Sequence, residues 1–230
     1  MTATENPGRA ALLADVRRAL GRAGASETHH AAVAARLETR LRGPIPARTA
    51  LPWDGLVDLF VTMSEQVGVE VRRLAKLDEV PGVFAARLAA LEVGGGQVMA
   101  PHPLLRGLPW PGNDAPRAGP ARGDDRAALT LAAGAVAETG TLIFVSGPEH
   151  PSNLAFLPEL QIVVLRGGDL CATYEDFWDR RREAGAPTPA TVNMITGASR
   201  TGDIEQIILL GAHGPKRVEI LLVDDAPQAS

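Results

Sequence analysis

A single cysteine, Cys171, is all that the sequence offers in thiol chemistry. A lone thiol forms no intrachain disulfide and by itself holds neither an iron–sulfur cluster nor a zinc ion. No apolar run approaches the roughly 18 to 20 residues that a membrane span needs. The first residues, MTATENPGRAALLADV, lack a basic segment followed by an apolar one, so no secretory signal is expected. Together these absences predict a cytoplasmic protein. Basic residues do not dominate either: 23 Lys and Arg stand against 27 Asp and Glu, for a formal charge of −4. That balance gives no whole-protein attraction to nucleic acid or to an anionic membrane. Neither GxGxxG in a strand-to-helix setting nor GxxxxGK[ST] occurs, which leaves dinucleotide and P-loop chemistry without support. No two histidines have metal-ligand spacing, so no metal site is expected. No repeat of fixed period is evident.

What is present is enough for a real core. The 230 residues are 45% hydrophobic and 22% charged, sufficient for one α/β domain with additions or for two small domains. Leu12, Leu13, Val16 and Leu20 predict a helix over 8–22, and Val33, Leu37 and Leu41 a second over 27–41. These form an N-terminal helical arm that, with the proline-marked linker after it, occupies residues 1–50. From 51 to 230 helix alternates with strand: helix over 53–66, strand 69–74, helix 78–91, strand 97–100, strand 161–165, helix 173–184, strands 191–196 and 218–223. Residues 204–210 are apolar, and periodicity does not choose between strand and buried helix. The alternation predicts an α/β fold, an open, mostly parallel sheet covered by helices. Residues 101–126 interrupt it. Their Pro and Gly content argues against regular structure and for a flexible insertion, the other reading being a flap anchored by Trp110.

Two stretches gather polar groups at strand ends. In GAVAETGTLIFVSGP, residues 134–148, the run Thr141 to Val145 reads as a buried strand ending in a turn. Glu138, Thr139, Gly140 and Thr141 lie at its mouth and Ser146 at its far end. A carboxylate beside so apolar a run is solvated in a turn, paired, or an active-site acid. From Met194 the chain reads MITGASRTGDIEQIILLGAHGP, and Ser199, Arg200, Thr201 and Asp203 make a polar loop after a strand. The planar fork of Arg200 suits a carboxylate or phosphate; the alternative is that it pairs with Asp203 or Glu205 to fix the loop. In open α/β sheets ligands bind beyond the carboxyl ends of the strands, which would set Glu138 and Arg200 on one rim. His213 is a proton carrier, a metal ligand or a backbone-bonding turn residue. His102 and His150 rank below it.

AETGTLIFVSGP (137–148), SNLAFLPELQIVVL (152–165) and TGASRTGDIEQIILLGAHGP (196–215), in this order and spacing, resemble the lactate-utilisation (LUD) domain family. The similarity runs from about residue 55 to 225. It implies a fold like that of the sugar isomerases and CoA-transferases, and a subunit of a system that oxidises L-lactate to pyruvate. It implies partners that carry iron–sulfur clusters, with no cofactor bound by this chain, and a small carboxylate substrate. A homo-oligomer is compatible with it. The CoA-transferases of the superfamily place a nucleophilic Glu in a Glu-x-Gly context, which Glu138-Thr139-Gly140 matches in form. Glu138 is thereby the candidate catalytic residue, and Thr139, Gly140, Thr141, Ser146, Ser199, Arg200, Thr201, Asp203 and His213 are the candidate substrate contacts. The competing functions are a stand-alone transferase or isomerase of a CoA-linked or phosphorylated substrate, and a non-catalytic assembly subunit.

Overall fold

Apolar residues at helical spacing and β-branched runs sort the described residues, 7–21, 26–204 and 207–225 of the computed structural model, into six α-helices and twelve strands. Two units separate between Pro44 and Ile45. The first holds α1 (Pro7–Ala19) and α2 (Glu27–Thr39), neither of which buries a residue. Ser26 caps α2 by accepting from the His29 N–H at 3.3 Å, satisfying one of the donors that a helix start leaves open.

The second unit opens with α3 (Trp53–Gln66), β1 (Glu70–Leu74), α4 (Val80–Ala90) and β2 (Gly96–Met99). Then come α5 (Pro103–Arg106), β3 (Arg117–Ala118), β4 (Asp125–Leu131), β5 (Gly134–Val136), β6 (Thr141–Val145), β7 (Leu160–Arg166) and β8 (Leu170–Cys171). The chain continues through α6 (Tyr174–Glu183), β9 (Val192–Ile195), β10 (Arg200–Ile204), β11 (Ile207–Leu210) and β12 (Arg217–Val223). Six strands pair in parallel in the order β1-β12-β7-β4-β2-β3.

The period of two along each central strand sends alternate side chains to opposite faces. Ile162 and Val164 of β7 and Leu221 and Val223 of β12 pack with Val80, Phe84 and Leu88 of α4. Val163, Leu165, Ile220 and Leu222 face the other way, onto Val57 and Phe60 of α3. This is the mostly parallel, helix-covered α/β sheet that the alternation predicts. Buried at the amino end of the sheet, Glu219 accepts two bonds of 2.7 Å from Arg87, so its charge is paired where solvent is excluded.

A second sheet, β8-β5-β6-β9, packs through Leu142 and Phe144 on the α3 side and through Ile143 and Val136 on Phe177 of α6. Its β5–β6 and β6–β9 pairs are antiparallel, a feature the alternation of helix and strand does not predict. The undecided 204–210 stretch contributes to a strand hairpin, β10 with β11.

Residues 101–126 differ from the expectation of irregular structure. They carry α5 and β3, the latter paired to β2, and bury Leu105, Leu108 and Ala121 in the core. Trp110 sets its ring edge-on to Phe84 at 6.1 Å and donates its Nε1–H to the Leu105 carbonyl at 2.9 Å. Buried Asp125 accepts from Arg117 at 2.5 Å and from the Arg122 N–H at 2.6 Å. A few anchors of this kind supply what composition alone leaves out. Among the described residues no helix is long and apolar enough to cross a membrane.

Candidate functional site

The β5–β6 hairpin turns at Glu138–Gly140, and the turn fits only because residue 140 has no side chain. Gly140 sits at φ 65°, and an added Cβ would lie 2.7 Å from the Ser64 nitrogen and 2.8 Å from the Met63 carbonyl carbon. The hairpin is thus pressed onto the last turn of α3. The Glu138 N–H donates to the Ala172 carbonyl at 3.2 Å, extending the β5–β8 pairing and fixing where its carboxylate emerges. That carboxylate, 18% exposed, meets the 53% exposed Arg48 at 3.3 Å.

Four hydroxyls gather at the mouth of β6. Thr141 is fully buried, and the β6–β9 register that sets Leu142 opposite Ile195 brings Thr196 opposite Thr141. Its Oγ1 lies 2.6 Å from Thr196 Oγ1, 2.6 Å from Thr139 Oγ1 and 2.8 Å from the Tyr174 hydroxyl. Three partners use the one proton and two lone pairs of a hydroxyl completely, so Thr141 is held rigidly. Tyr174 also reaches Thr139, at 3.0 Å. It arrives there as the first residue of α6, whose start is fixed by a reciprocal pair of bonds between Thr173 and Asp176.

Glu138 follows β5 and Arg200 lies beyond β9; both strands run antiparallel to β6, so they end at the same edge of the second sheet. Arg200 Nη2 donates to the carbonyl of Val67 at 3.1 Å, just before β1 and so at the amino end of that strand. That places it at the end of α3, the helix on which Gly140 of the Glu138 turn also packs, rather than at the carboxyl end of the parallel sheet. Ser199, Gly211 and Pro215 close the loop through backbone bonds of 2.9 Å, and the His213 N–H donates to Ser199 Oγ at 3.2 Å. His213 is exposed and Thr201 half-buried. The side chain of Asp203 and all of Glu205 lie outside the described residues.

Ser146 stands apart, at the other end of β6. There a cavity of about 410 Å³ opens at the carboxyl ends of β2 and β4, lined by His102, Leu131, Ser146, Glu149 and His150 among others. His150, 8% exposed, stacks on Phe144 with centroids 4.9 Å apart. Neither of its ring nitrogens has a hydrogen-bond partner in the protein, and burial pushes its pKa down to about 4. Among the described residues no group of three or more His, Cys, Asp or Glu is placed to hold a metal, and Cys171 is buried.

Residues 125–223 match the family model described as the LUD domain. The matched segment is similar to a LUD domain. Over about 100 residues the chain is 28% identical to lactate utilization protein C of Bacillus subtilis (strain 168), covering 42% of each chain. It is 30% identical over 93 residues to lactate utilization protein C of Geobacillus thermodenitrificans (strain NG80-2), covering 39% of each chain. An uncharacterized protein, YkgG, of Escherichia coli (strain K12) is 32% identical over 91 residues, covering 38% of this chain and 39% of its own. These matches span about two fifths of the relatives' own length. A crystal structure of a DUF162 family protein from Deinococcus radiodurans superimposes with a TM-score of 0.54 at 22% identity, covering 75% of this chain and 99% of that one. The fold is therefore shared.

The matched segment contains Glu138, the four clustered hydroxyls, Ser146, His150 and the Ser199–Arg200–Thr201 loop. Two residues that complete these groups lie before it, Arg48 and His102. Arg48 sits in a proline-marked stretch 90 residues from Glu138, where sequence carries no signal of the pairing.

Proposed function

We propose that the chain is a subunit of a lactate-utilisation system that oxidises L-lactate to pyruvate in the cytoplasm, with partner proteins carrying the iron–sulfur clusters. The observation that carries this reading is the LUD segment shared with proteins named lactate utilization protein C. The oxidation removes two electrons and two protons from lactate, and clusters in the partners would accept the electrons one at a time. This chain's own residues do not fit a cluster: its one thiol is buried and offers no set of four ligands.

The part assigned to this chain is to hold a small carboxylate at the Glu138 turn. Arg48 is half-exposed and spends one N–H on Glu138, so its remaining donors are open to a carboxylate fork. Thr139 in the same turn and Tyr174, bonded to it, offer hydroxyls, and Thr141 and Gly140 hold the turn in place. Glu138 orients Arg48 and is the nearby carboxylate able to exchange a proton. Arg200 and Ser199 border the same end of α3 without reaching Glu138 directly.

Affinity purification of the tagged chain from lactate-grown cells tests the assembly. Cysteine-rich proteins with iron–sulfur absorbance should copurify. Recovery of the chain alone from such cells, under conditions that preserve other complexes, would count against it.

A further inference from the structure

Ser146 and the two histidines near it form a second polar group, at the opposite end of β6 from the Glu138 turn. The cavity they line, about 410 Å³, sits where β2 and β4 end, the side of a parallel sheet on which ligands ordinarily bind. We propose that it is a binding site for an uncharged organic molecule with an apolar body and a carbonyl oxygen. This goes beyond the lactate reading and does not rest on it.

The wall sets the class of ligand. Leu131, Ala132, Val145 and Pro148 supply apolar surface for the body. The polar groups are biased toward donation. His102 Nδ1 accepts from the Leu104 N–H at 3.2 Å, which puts the ring proton on Nε2. That Nε2 lies 3.5 Å from Glu149 Oε2, too far for a strong bond and within reach of a third oxygen. Ser146 Oγ accepts from the Thr191 N–H at 2.9 Å and keeps its proton to give. His150 adds a buried imidazole with neither nitrogen paired within the protein, although buried polar atoms are ordinarily paired.

Charge is excluded in one direction by what is present and in the other by what the donors want. The described wall carries no Lys or Arg, while the Glu149 carboxylate stands at its mouth, so an anion meets repulsion without a compensating cation. A cation is attracted by Glu149 but leaves the Ser146 and His102 donors without an acceptor. An uncharged carbonyl satisfies the donors and evades the repulsion.

Three probes of one size separate the cases: acetophenone, benzoate and benzylammonium, each titrated into the full chain at neutral pH. Binding is read from the His102 and His150 ring resonances and the Ser146 and Gly147 amides. Acetophenone should give saturable shifts there, with benzoate and benzylammonium at least about tenfold weaker. Gly147 lines the cavity and a Cβ added there meets nothing within 4 Å, so Gly147→Phe fits locally, narrows the cavity and should weaken acetophenone at least about tenfold. Ser146→Ala removes one donor, should weaken acetophenone several-fold, and decides the matter if Gly147→Phe fails to fold. No saturable acetophenone binding, either charged probe binding as well as acetophenone, or wild-type acetophenone affinity in a folded variant would overturn the proposal. None of these outcomes bears on growth on lactate.

Discussion

Arg200 caps α3 by donating to the carbonyl of Val67 at 3.1 Å, where the helix gives way to β1. A cation bound to the last carbonyls of a helix satisfies groups that have no partner inside it and opposes the negative end of its dipole. The geometry gives Arg200 a structural task that its place in a polar loop does not disclose.

Arg200→Ala should therefore lower stability by roughly 0.3 to 1 kcal/mol, the range for an exposed charge at a helix end. Carboxylate affinity should stay near wild type, while Arg48→Ala should weaken it by about one to two orders of magnitude. Urea melts beside a lactate titration distinguish the two arginines. A larger affinity loss in Arg200→Ala than in Arg48→Ala would move the carboxylate to the other loop.

Gly140→Ala should destabilise the chain by at least about 2 kcal/mol. The new Cβ would meet backbone 2.7 Å away, in a conformation that side chains rarely adopt. Backbone on the packed α3 cannot yield as a flexible side chain would. Chemical denaturation checks this, and a cost below about 0.5 kcal/mol would show that the hairpin does not press on the helix.

The strands richest in β-branched and aliphatic residues were legible before the structure, β6, β7 and β12 among them, as was the amphipathic α3. The strand β4 was not. Its sequence, DRAALTL, is short of β-branched residues, yet it lies between β7 and β2 with Ala127, Ala128 and Leu129 wholly buried. Small side chains suit a strand pressed by neighbours on both sides, a tertiary demand that local propensity does not express. The second sheet was illegible for a related reason, since its pairings join β8 and β9 to a hairpin that stands earlier in the chain. At the candidate site, Glu138, Thr139 and Thr141 were readable from their place at a strand mouth. Arg48, Tyr174 and Thr196 reach them only through the fold.

His150 gives the protein an acid-sensitive step. Its pKa falls from 6.5 to about 4 on folding because burial disfavours the charged ring. Below about pH 6.5 the unfolded chain takes up a proton that the folded chain refuses, so stability declines as pH falls and levels off near pH 4. The full loss is on the order of 3 kcal/mol. His150→Phe keeps a ring against Phe144 and should flatten this part of the profile in melts followed across that range. An unchanged slope would assign the acid sensitivity to other groups.

Growth on L-lactate is the most direct measure of the central claim. Deleting the gene from its host should abolish growth on L-lactate as sole carbon source and leave growth on pyruvate intact. The wild-type gene should restore growth, and a folded Arg48→Ala variant should restore it poorly. Undiminished growth of the deletion strain on L-lactate, in a host with no second copy, would contradict the account.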